Sequence, residues 1–316
     1  MTTDVRPVFP EERLLLEILL EKPFAFVNKS VWNGVGNRYF VNGKRENLFI
    51  NKLLEKDIEK IRKEYECLKD KNDGSFFRDN IKKFIEANKS RYNFIAAEAI
   101  DYIKKSAEGY DESDIFVSFS GGKDSTVTSD LVIKALGNPG ILHIFGDTTL
   151  EFPETIEYLK RFKKANRKTP VLTAINRDES FIDICRKAGP PSRVMRWCCV
   201  YFKTGAISRK IASTFKNRKN ILTFYGIRRS ESTSRSKYER ETDSPKIAKQ
   251  KVVSPIIDWY DFDIWLYILS TGIDFNNAYR LGYSRVGCWC CPNNSKWSEF
   301  LSSIHMDAQY KEFRQL

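Results

Sequence analysis

The spacing of hydrophobic residues changes near residue 113, where short apolar runs begin to alternate with segments of helical periodicity. Four runs have the length and the β-branched and aromatic content of buried strands: 114–120, 141–147, 170–176 and 220–227. Helices are predicted between and after them, over 125–136, 154–166, 179–189 and 204–215. This alternation predicts an α/β fold with a doubly wound parallel sheet, in which ligands bind at the carboxyl ends of the strands.

The chain before residue 111 has a different pattern. Residues 1–50 are expected to form a small N-terminal α+β unit, with a helix over 11–22 and a hairpin over 24–44. Residues 51–110 are charged, with apolar residues three and four apart, and are predicted to form a helical connector. Residues 111–316 form the predicted third domain, which binds a nucleotide, has helical flanks and contains the cysteine clusters described below.

The net charge bears on the partners of this protein. The 316-residue chain has a formal net charge of +12, which favours anionic partners such as nucleotides or nucleic acid. Between residues 209 and 251, thirteen Lys and Arg stand against four Asp and Glu, and 228–240 is predicted to be an exposed loop. The sequence contains no apolar run of ~18 residues and no signal peptide, so we expect a cytoplasmic protein without a membrane partner.

The segment SGGKDS, residues 120–125, joins the first predicted strand to the helix that follows it. A glycine-rich turn at a helix N-terminus binds anions, because its backbone N–H groups point outward and the glycines let the backbone approach phosphate oxygens. Lys123 adds positive charge, and Asp124 could bind Mg²⁺ or orient the site. The spacing differs from both the GxxxxGK[ST] and the GxGxxG nucleotide motifs.

SGGKDS is similar to the pyrophosphate-binding loop of the PP-loop ATP pyrophosphatases. GDTTLEFPET at 146–155 and GIRRSESTSRS at 226–236 resemble segments of the phosphoadenosine-phosphosulfate (PAPS) reductase family within that superfamily. The resemblance covers roughly residues 112–300. It implies a PP-loop, adenine nucleotide alpha hydrolase-like fold, with ATP, adenylyl sulfate (APS) or PAPS as the nucleotide and with Mg²⁺.

The resemblance also implies a set of site residues. The nucleotide phosphates would be bound by Ser118, Ser120, Gly121, Gly122, Lys123, Asp124 and Ser125. Asp147 would lie near the nucleotide, and Arg228 and Arg229 near the phosphates or the acceptor. The catalytic residues would be Lys123, Asp124 and Arg228. The alternatives are a helix-capping role for Asp147 and Glu151, and a solvated loop for the arginines.

Five of the seven cysteines lie in two clusters, Cys198-Cys199 and Cys288-Trp-Cys290-Cys291. A CC pair and a CxxC pair supply four thiolates, which suit either one zinc ion or one iron–sulfur cubane. The layout resembles adenylyl-sulfate reductases and the sulfur-insertion ATPases of DNA phosphorothioation. That resemblance implies a [4Fe–4S] cluster on Cys198, Cys199, Cys288 and Cys291, with zinc and unligated thiols as the alternatives and Cys290 as an alternative ligand.

Two activities are compatible with these motifs. A sulfonucleotide reductase attacks the sulfur of APS or PAPS with a cysteine and releases sulfite, whereas a PP-loop pyrophosphatase cleaves ATP and adenylates its target. The reductases have a degraded turn and an attacking cysteine after the cluster. This sequence has an intact turn and no cysteine after Cys291. We therefore predict ATP cleavage coupled to sulfur transfer, with APS or PAPS reduction as the alternative.

The expected partners follow from this prediction. They are an adenine nucleotide, a sulfur donor protein such as a cysteine desulfurase, and a nucleic-acid acceptor, either DNA or tRNA. The basic segment 209–251 would supply affinity for the nucleic acid without identifying it. A third alternative is a non-catalytic iron–sulfur protein that binds a nucleotide within a larger complex.

Overall fold

The computed structural model describes residues 4–46, 52, 55–218, 220–243 and 250–306. In chain order, the helices are α1 (Pro10–Leu19), α2 (Ile58–Leu68), α3 (Ser75–Ala87), α4 (Lys89–Ala107), α5 (Lys123–Leu136), α6 (Pro153–Ala165), α7 (Phe181–Ala188), α8 (Gly205–Thr214), α9 (Asp261–Thr271) and α10 (Lys296–His305). The strands are β1 (Val5–Pro7), β2 (Val31–Gly34), β3 (Arg38–Val41), β4 (Lys44–Glu46), β5 (Ile115–Phe119), β6 (Leu142–Asp147), β7 (Val171–Ile175), β8 (Ile221–Tyr225), β9 (Glu241–Asp243) and β10 (Gln250–Val253).

The chain divides into two compact units, residues 91–276 and residues 1–90 together with 277–316. These bounds differ from the expected domains of 1–50, 51–110 and 111–316. The C-terminal helix belongs with the N-terminal residues because Arg62 of α2 donates to the carbonyls of Ser303 and Ile304, at 2.6 and 3.2 Å. These carbonyls lie in the last turn of α10, where a helix needs outside donors.

The unit of residues 91–276 contains a six-stranded sheet in the order β7-β6-β5-β8-β10-β9. Every neighbouring pair is parallel except β9 and β10. The four predicted strands coincide with β5 to β8, and the four predicted helices with α5 to α8. The predicted α/β class with a doubly wound parallel sheet is confirmed.

Helices cover both faces of this sheet. On one face, Phe116 and Ile144 of the strands pack with Ile211 and Phe215 at the end of α8. On the other, Phe119 packs with Tyr158 and Phe162 of α6. Successive residues of a strand point to opposite faces of the sheet. Because β5 has apolar side chains in both sets of alternating positions, it is buried on both faces.

The strand order reverses beside β5 and so positions a ligand site. After β5 the chain adds β6 and β7 on one side, and β8 then returns to the other side of β5. Such a switch point opens a crevice at the carboxyl ends of the two strands on which it falls. The turn at 120–122 and the loop that begins at Gly226 follow these two strand ends.

The other unit contains a four-stranded antiparallel sheet in the order β1-β2-β3-β4. β2 and β3 form a hairpin that pairs Val31 with Val41 and Gly34 with Arg38, within the predicted 24–44 segment. α1 lies at the predicted N-terminal helix, and helices α2 to α4 occupy the segment expected to be helical. Strands β9 and β10 were not anticipated from the sequence.

Candidate nucleotide site

The turn after β5 is closed by its own hydroxyl groups. Gly121 has a left-handed φ of 70°, and Gly122 is the N-cap residue of α5, which begins at Lys123. The Ser125 hydroxyl accepts from the backbone N–H of Ser120 at 3.2 Å and donates to the carbonyl of Gly122 at 2.9 Å. The first N–H groups of a helix have no intrahelical acceptor, so the turn directs a donor-rich helix start toward the crevice.

Two glycines are needed here for space, and Gly121 is needed for its left-handed φ as well. A Cβ at Gly121 would lie 3.0 Å from Thr155 Cγ2, and its carbonyl accepts from the Asn276 amide at 3.2 Å. A Cβ at Gly226, just after β8, would lie 2.6 Å from the Asp124 carbonyl carbon and 2.7 Å from the Ser125 nitrogen. The end of β8 therefore packs directly against the first turn of α5.

Four charged side chains from three segments meet beside the turn. Lys123 Nζ lies 3.2 Å from Asp124 Oδ2 and 3.1 Å from Asp261 Oδ1. The Arg228 guanidinium donates through Nε to Asp124 and through Nη2 to Asp261, the latter at 2.7 Å. Lys123 and Arg228 are each only 3% exposed, so the two carboxylates are what balances two buried cations.

The charge state of Asp124 follows from this arrangement. Burial alone would raise its pKa, but the charges of Lys123 and Arg228 and the hydrogen bonds they donate outweigh that effect. The pKa of Asp124 is consequently held below its usual value. Asp124 is an ionised carboxylate at neutral pH and can accept hydrogen bonds or ligate a cation.

Three other predicted nucleotide-site residues, Ser118, Ser120 and Arg229, have different surroundings. Ser118 is hydrogen-bonded to Tyr225, its register partner on β8. Ser120 is exposed at the tip of the turn. Arg229 lies in the loop after β8 and donates to Asp258 and, at 2.9 Å, to the carbonyl of Tyr238. The structure thus joins Arg228 to the Lys123–Asp124 pair and directs Arg229 to other partners.

Asp147 and Glu151 flank the loop after β6. Asp147 Oδ1 accepts from the backbone N–H of Thr149 at 2.8 Å, and Thr149 has an unusual left-handed φ of 64°. Glu151 accepts from the Thr148 hydroxyl at 2.8 Å, and burial raises its pKa. Both carboxylates therefore shape this loop at the carboxyl edge of the sheet.

The first cysteine pair lies at the start of a π-helix, Cys199–Thr204, which continues directly into α8. The N–H of Gly205 donates to the carbonyl of Val200, and a Cβ on Gly205 would lie 2.7 Å from that oxygen. Only glycine fits this close approach without a shift. Cys198 and Cys199 are half-buried, on a turn of the kind that often marks functional sites.

The second cysteine pair lies on a turn in the other unit. The Cys291 N–H donates to the Cys288 carbonyl at 3.2 Å, and the Asn294 amide donates to the Trp289 carbonyl at 2.8 Å. Cys288, Cys290 and Cys291 are all half-buried. Across the described ranges, no three or more His, Cys, Asp or Glu side chains form a group that could hold a metal ion.

The basic segment 209–251 is more ordered than a solvated loop, and most of its arginines are paired. Arg240 forms a bidentate pair with Glu98, at 2.6 and 2.9 Å, and lies 3.5 Å from the centre of the Tyr102 ring. Arg235 pairs with Glu231. Lys237 is exposed. Residues 219 and 244–249 of this segment lie outside the described residues.

Sequence reasoning missed several residues of the site. They are Asp261, Gly226 and Asn276. A signal existed for Gly226, because a glycine after a buried strand indicates a close backbone approach. Asp261 is the first residue of α9 and looks like an ordinary acidic helix start.

Residues 114–294 match the family of the phosphoadenosine phosphosulfate reductase domain. The chain belongs to this family. This chain is 27% identical over 186 residues to an adenosine 5'-phosphosulfate reductase of Bacillus anthracis. The match covers 57% of this chain and 76% of that protein. The predicted family is confirmed.

Two uncharacterized proteins of Methanocaldococcus jannaschii are more similar. One is 34% identical over 208 residues, covering 66% of this chain and 42% of its own, and the other is 32% identical over 216 residues, covering 68% and 50%. The chain thus spans half or less of the length of these relatives.

Solved structures are more distant. A phosphoadenylyl-sulfate reductase of Candida auris is 16% identical with a TM-score of 0.44, covering 61% of this chain and 95% of that one. Within the described ranges, no helix of the family domain or its flanks is long and apolar enough to cross a lipid bilayer.

Proposed function

We propose that this chain is a PP-loop ATP pyrophosphatase, which cleaves ATP between the α and β phosphates and adenylates an acceptor for sulfur transfer. The observation that carries the proposal is the intact Gly-Gly turn whose helix start lies against the Lys123–Arg228 pair. Two buried cations beside a donor-rich helix N-terminus suit a pyrophosphate leaving group.

Each charged group has a role in this proposal. The backbone at the start of α5 binds the β and γ phosphates, and Lys123 and Arg228 neutralise the charge that develops on pyrophosphate. The phosphate oxygens then compete with the carboxylates for these cations. Asp124 and Asp261, released from part of their pairing, are the carboxylates that would hold Mg²⁺.

Replacement of Asp124 tests this assignment. Asp124→Ala should lower ATP cleavage by roughly a hundredfold or more, which is the scale of removing one key electrostatic group. The matched control is Asp130→Ala, since Asp130 lies on the same helix but pairs with Lys134 and Tyr267. Equal cleavage rates in the two variants, measured as AMP formation, would remove Asp124 from the mechanism.

The proposal includes a [4Fe–4S] cluster on Cys198, Cys199, Cys288 and Cys291. Support comes from the thiolate donor set and from its CC and CxxC spacing. The described side chains do not form a metal-holding group, so the proposal rests on donor chemistry and spacing and not on the geometry of the four thiols. When bound, the cluster would bind or relay sulfide received from a sulfur donor such as a cysteine desulfurase. A cytoplasmic location belongs to this proposal, because reducing compartments keep such thiols available.

A nucleic-acid acceptor, DNA or tRNA, is the final part of the proposal, and the net charge of +12 supports it. The structure refines its test, because Arg235 and Arg240 are paired within the fold. Lys237→Ala should reduce the slope of log affinity against log salt concentration by about 1, as the loss of one phosphate contact does. An unchanged salt slope for both duplex DNA and tRNA would contradict a contact at Lys237.

A second candidate is reduction of APS or PAPS, favoured by the 27% identity to an adenosine 5'-phosphosulfate reductase. A third is a non-catalytic iron–sulfur component that binds nucleotide. Thiol-dependent release of sulfite would establish the second. ATP binding without ATP cleavage, in the presence of either tRNA or duplex DNA, would establish the third.

A further inference from the structure

The compact unit of residues 1–90 and 277–316 contains a pocket of about 310 Å³, lined by residues between Pro7 and Asn88 and thus outside the matched family domain. One wall is the face of β1 and β2 that presents Trp32, and the other is helix α3 with Phe77 and Phe84. The indole N–H of Trp32 donates to the Ser30 hydroxyl at 2.9 Å, which fixes the ring. Ligand pockets begin at about this volume and combine aromatic walls with a few polar groups.

Helix α3 forms this pocket because it packs incompletely. Phe77, Ile81 and Phe84 recur at intervals of three and four, so they lie on one face of the helix. Phe77 contacts the core residue Phe9 at a ring-centroid distance of 5.2 Å, and Phe84 contacts Trp32 at 5.1 Å. None of the thirteen described residues of α3 is buried, so its apolar face is left half-covered over the pocket.

The charged residues that line the pocket are all cations. Among the fifteen described residues that line it, three are cations, Arg13, Lys29 and Lys83, and none is acidic. Arg13 is held by Asn72 at 2.5 Å and by the carbonyl of Asp73 at 2.9 Å, so it forms part of the wall. Lys29 and Lys83 are exposed and supply the charge at the rim.

We propose that this pocket binds a nucleoside 5'-phosphate. The flat base would pack against the rings of Trp32 and Phe84, as bases stack on aromatic side chains in single-strand binding proteins. Lys29 and Lys83 would neutralise the phosphate. The same chemistry belongs to a free nucleotide and to a nucleotide within a single strand. This inference does not depend on the proposed function of the α/β unit.

Calorimetry on the full chain tests the proposal. Gly122→Val removes the turn site in the α/β unit, so any remaining nucleotide binding is separate from it. Into this background we introduce Trp32→Leu or Lys83→Gln. The matched control is Lys82→Gln, because Lys82 neighbours Lys83, pairs with Asp79 and does not line the pocket. The probes are AMP, uncharged adenosine and a single-stranded tetradeoxyadenylate.

The expected results are a roughly tenfold or greater loss of AMP affinity in Trp32→Leu, the scale of one base stack. Lys83→Gln should lose about two- to fivefold, the scale of an exposed charge pair, and Lys82→Gln should equal the parent. If tetradeoxyadenylate binds at least tenfold more tightly than AMP, the natural ligand is a nucleotide within a single strand. Equal affinities of the two probes identify it as a free nucleotide. No binding of AMP or of the tetradeoxyadenylate, or equal AMP affinities in Lys83→Gln and Lys82→Gln, overturns the proposal.

Discussion

Gly226 offers the sharpest perturbation of the site, because it never contacts the nucleotide in our account and carries no charge. In Gly226→Ala the added Cβ would lie 2.6 Å from the Asp124 carbonyl carbon and 2.7 Å from both the Asp124 oxygen and the Ser125 nitrogen. All three are backbone atoms in the first turn of α5, so no side-chain rotation relieves the contact.

The magnitude follows from the distances. An ordinary carbon contact of ~3.5 Å requires the end of β8 and the start of α5 to separate by roughly 0.8 Å. Overpacking of this kind typically costs about 1–3 kcal/mol, or roughly 2–12 °C in Tm at the scale of a 150–250-residue domain. Because a displacement of ~1 Å in a catalytic group can cost a hundredfold in rate, ATP cleavage should fall by about that factor.

The matched control is Gly146→Ala, near the end of β6. Its Cβ would lie 2.7 Å from Ile207 Cδ1, the mobile tip of a side chain, so a rotamer change of about 1 kcal/mol relieves it. Both Gly→Ala changes lower the conformational entropy of the unfolded chain by a similar amount, so that effect cancels in the comparison. Thermal unfolding and AMP formation are the measurements. Equal Tm and equal cleavage rates in the two variants would refute the close packing of β8 against α5.

Three further predictions follow from the buried charges and thiols. Asp261→Ala should destabilise the protein by roughly 3–5 kcal/mol in chemical denaturation, because it breaks a buried pair, whereas Asp258→Ala, which breaks an exposed pair, should cost at most ~1 kcal/mol. Burial lowers the pKa of His143 to about 4 from its usual 6.5, so its neutral form contributes its full stability above pH 6.5. The free energy of unfolding should therefore fall by about 3 kcal/mol between pH 6.5 and pH 4. His143→Gln should reduce this loss, and the same pH dependence in the variant and the parent protein would contradict the prediction. Anaerobically purified protein should contain about four irons per chain, lost in Cys288→Ser and retained in Cys67→Ser; one zinc instead would exclude the cluster.

The sequence was sufficient for the α/β unit because each element carries its own local signal. The apolar strands β5 to β8 and the helices between them alternate, and parallel strands bring their carboxyl ends to one edge. The Gly-Gly turn could be placed at that edge without coordinates. Lys123 and Asp124 follow the two glycines directly, so their position at the start of the helix could also be predicted.

The remainder depends on contacts between distant segments, which leave no local pattern. Arg228 reaches Asp124 across 104 residues and Asp261 across 33, and nothing in the spacing distinguishes Arg228 from Arg229. Arg240 is bound to Glu98 across 142 residues, so a segment that looked solvated is partly structural. Strand β10 is only four residues long and contains a lysine, and its pairing with β8 is what identifies it.

Product analysis of ATP turnover tests the central claim most directly. Anaerobically prepared protein with Mg²⁺ is incubated with ATP alone, with tRNA and with duplex DNA, and a parallel arm contains APS and PAPS with a thiol. We expect AMP and pyrophosphate in equal amounts in the incubation with tRNA or with duplex DNA, and no such products from Gly122→Val. Formation of ADP, or release of sulfite from APS or PAPS while ATP stays intact, would contradict that claim.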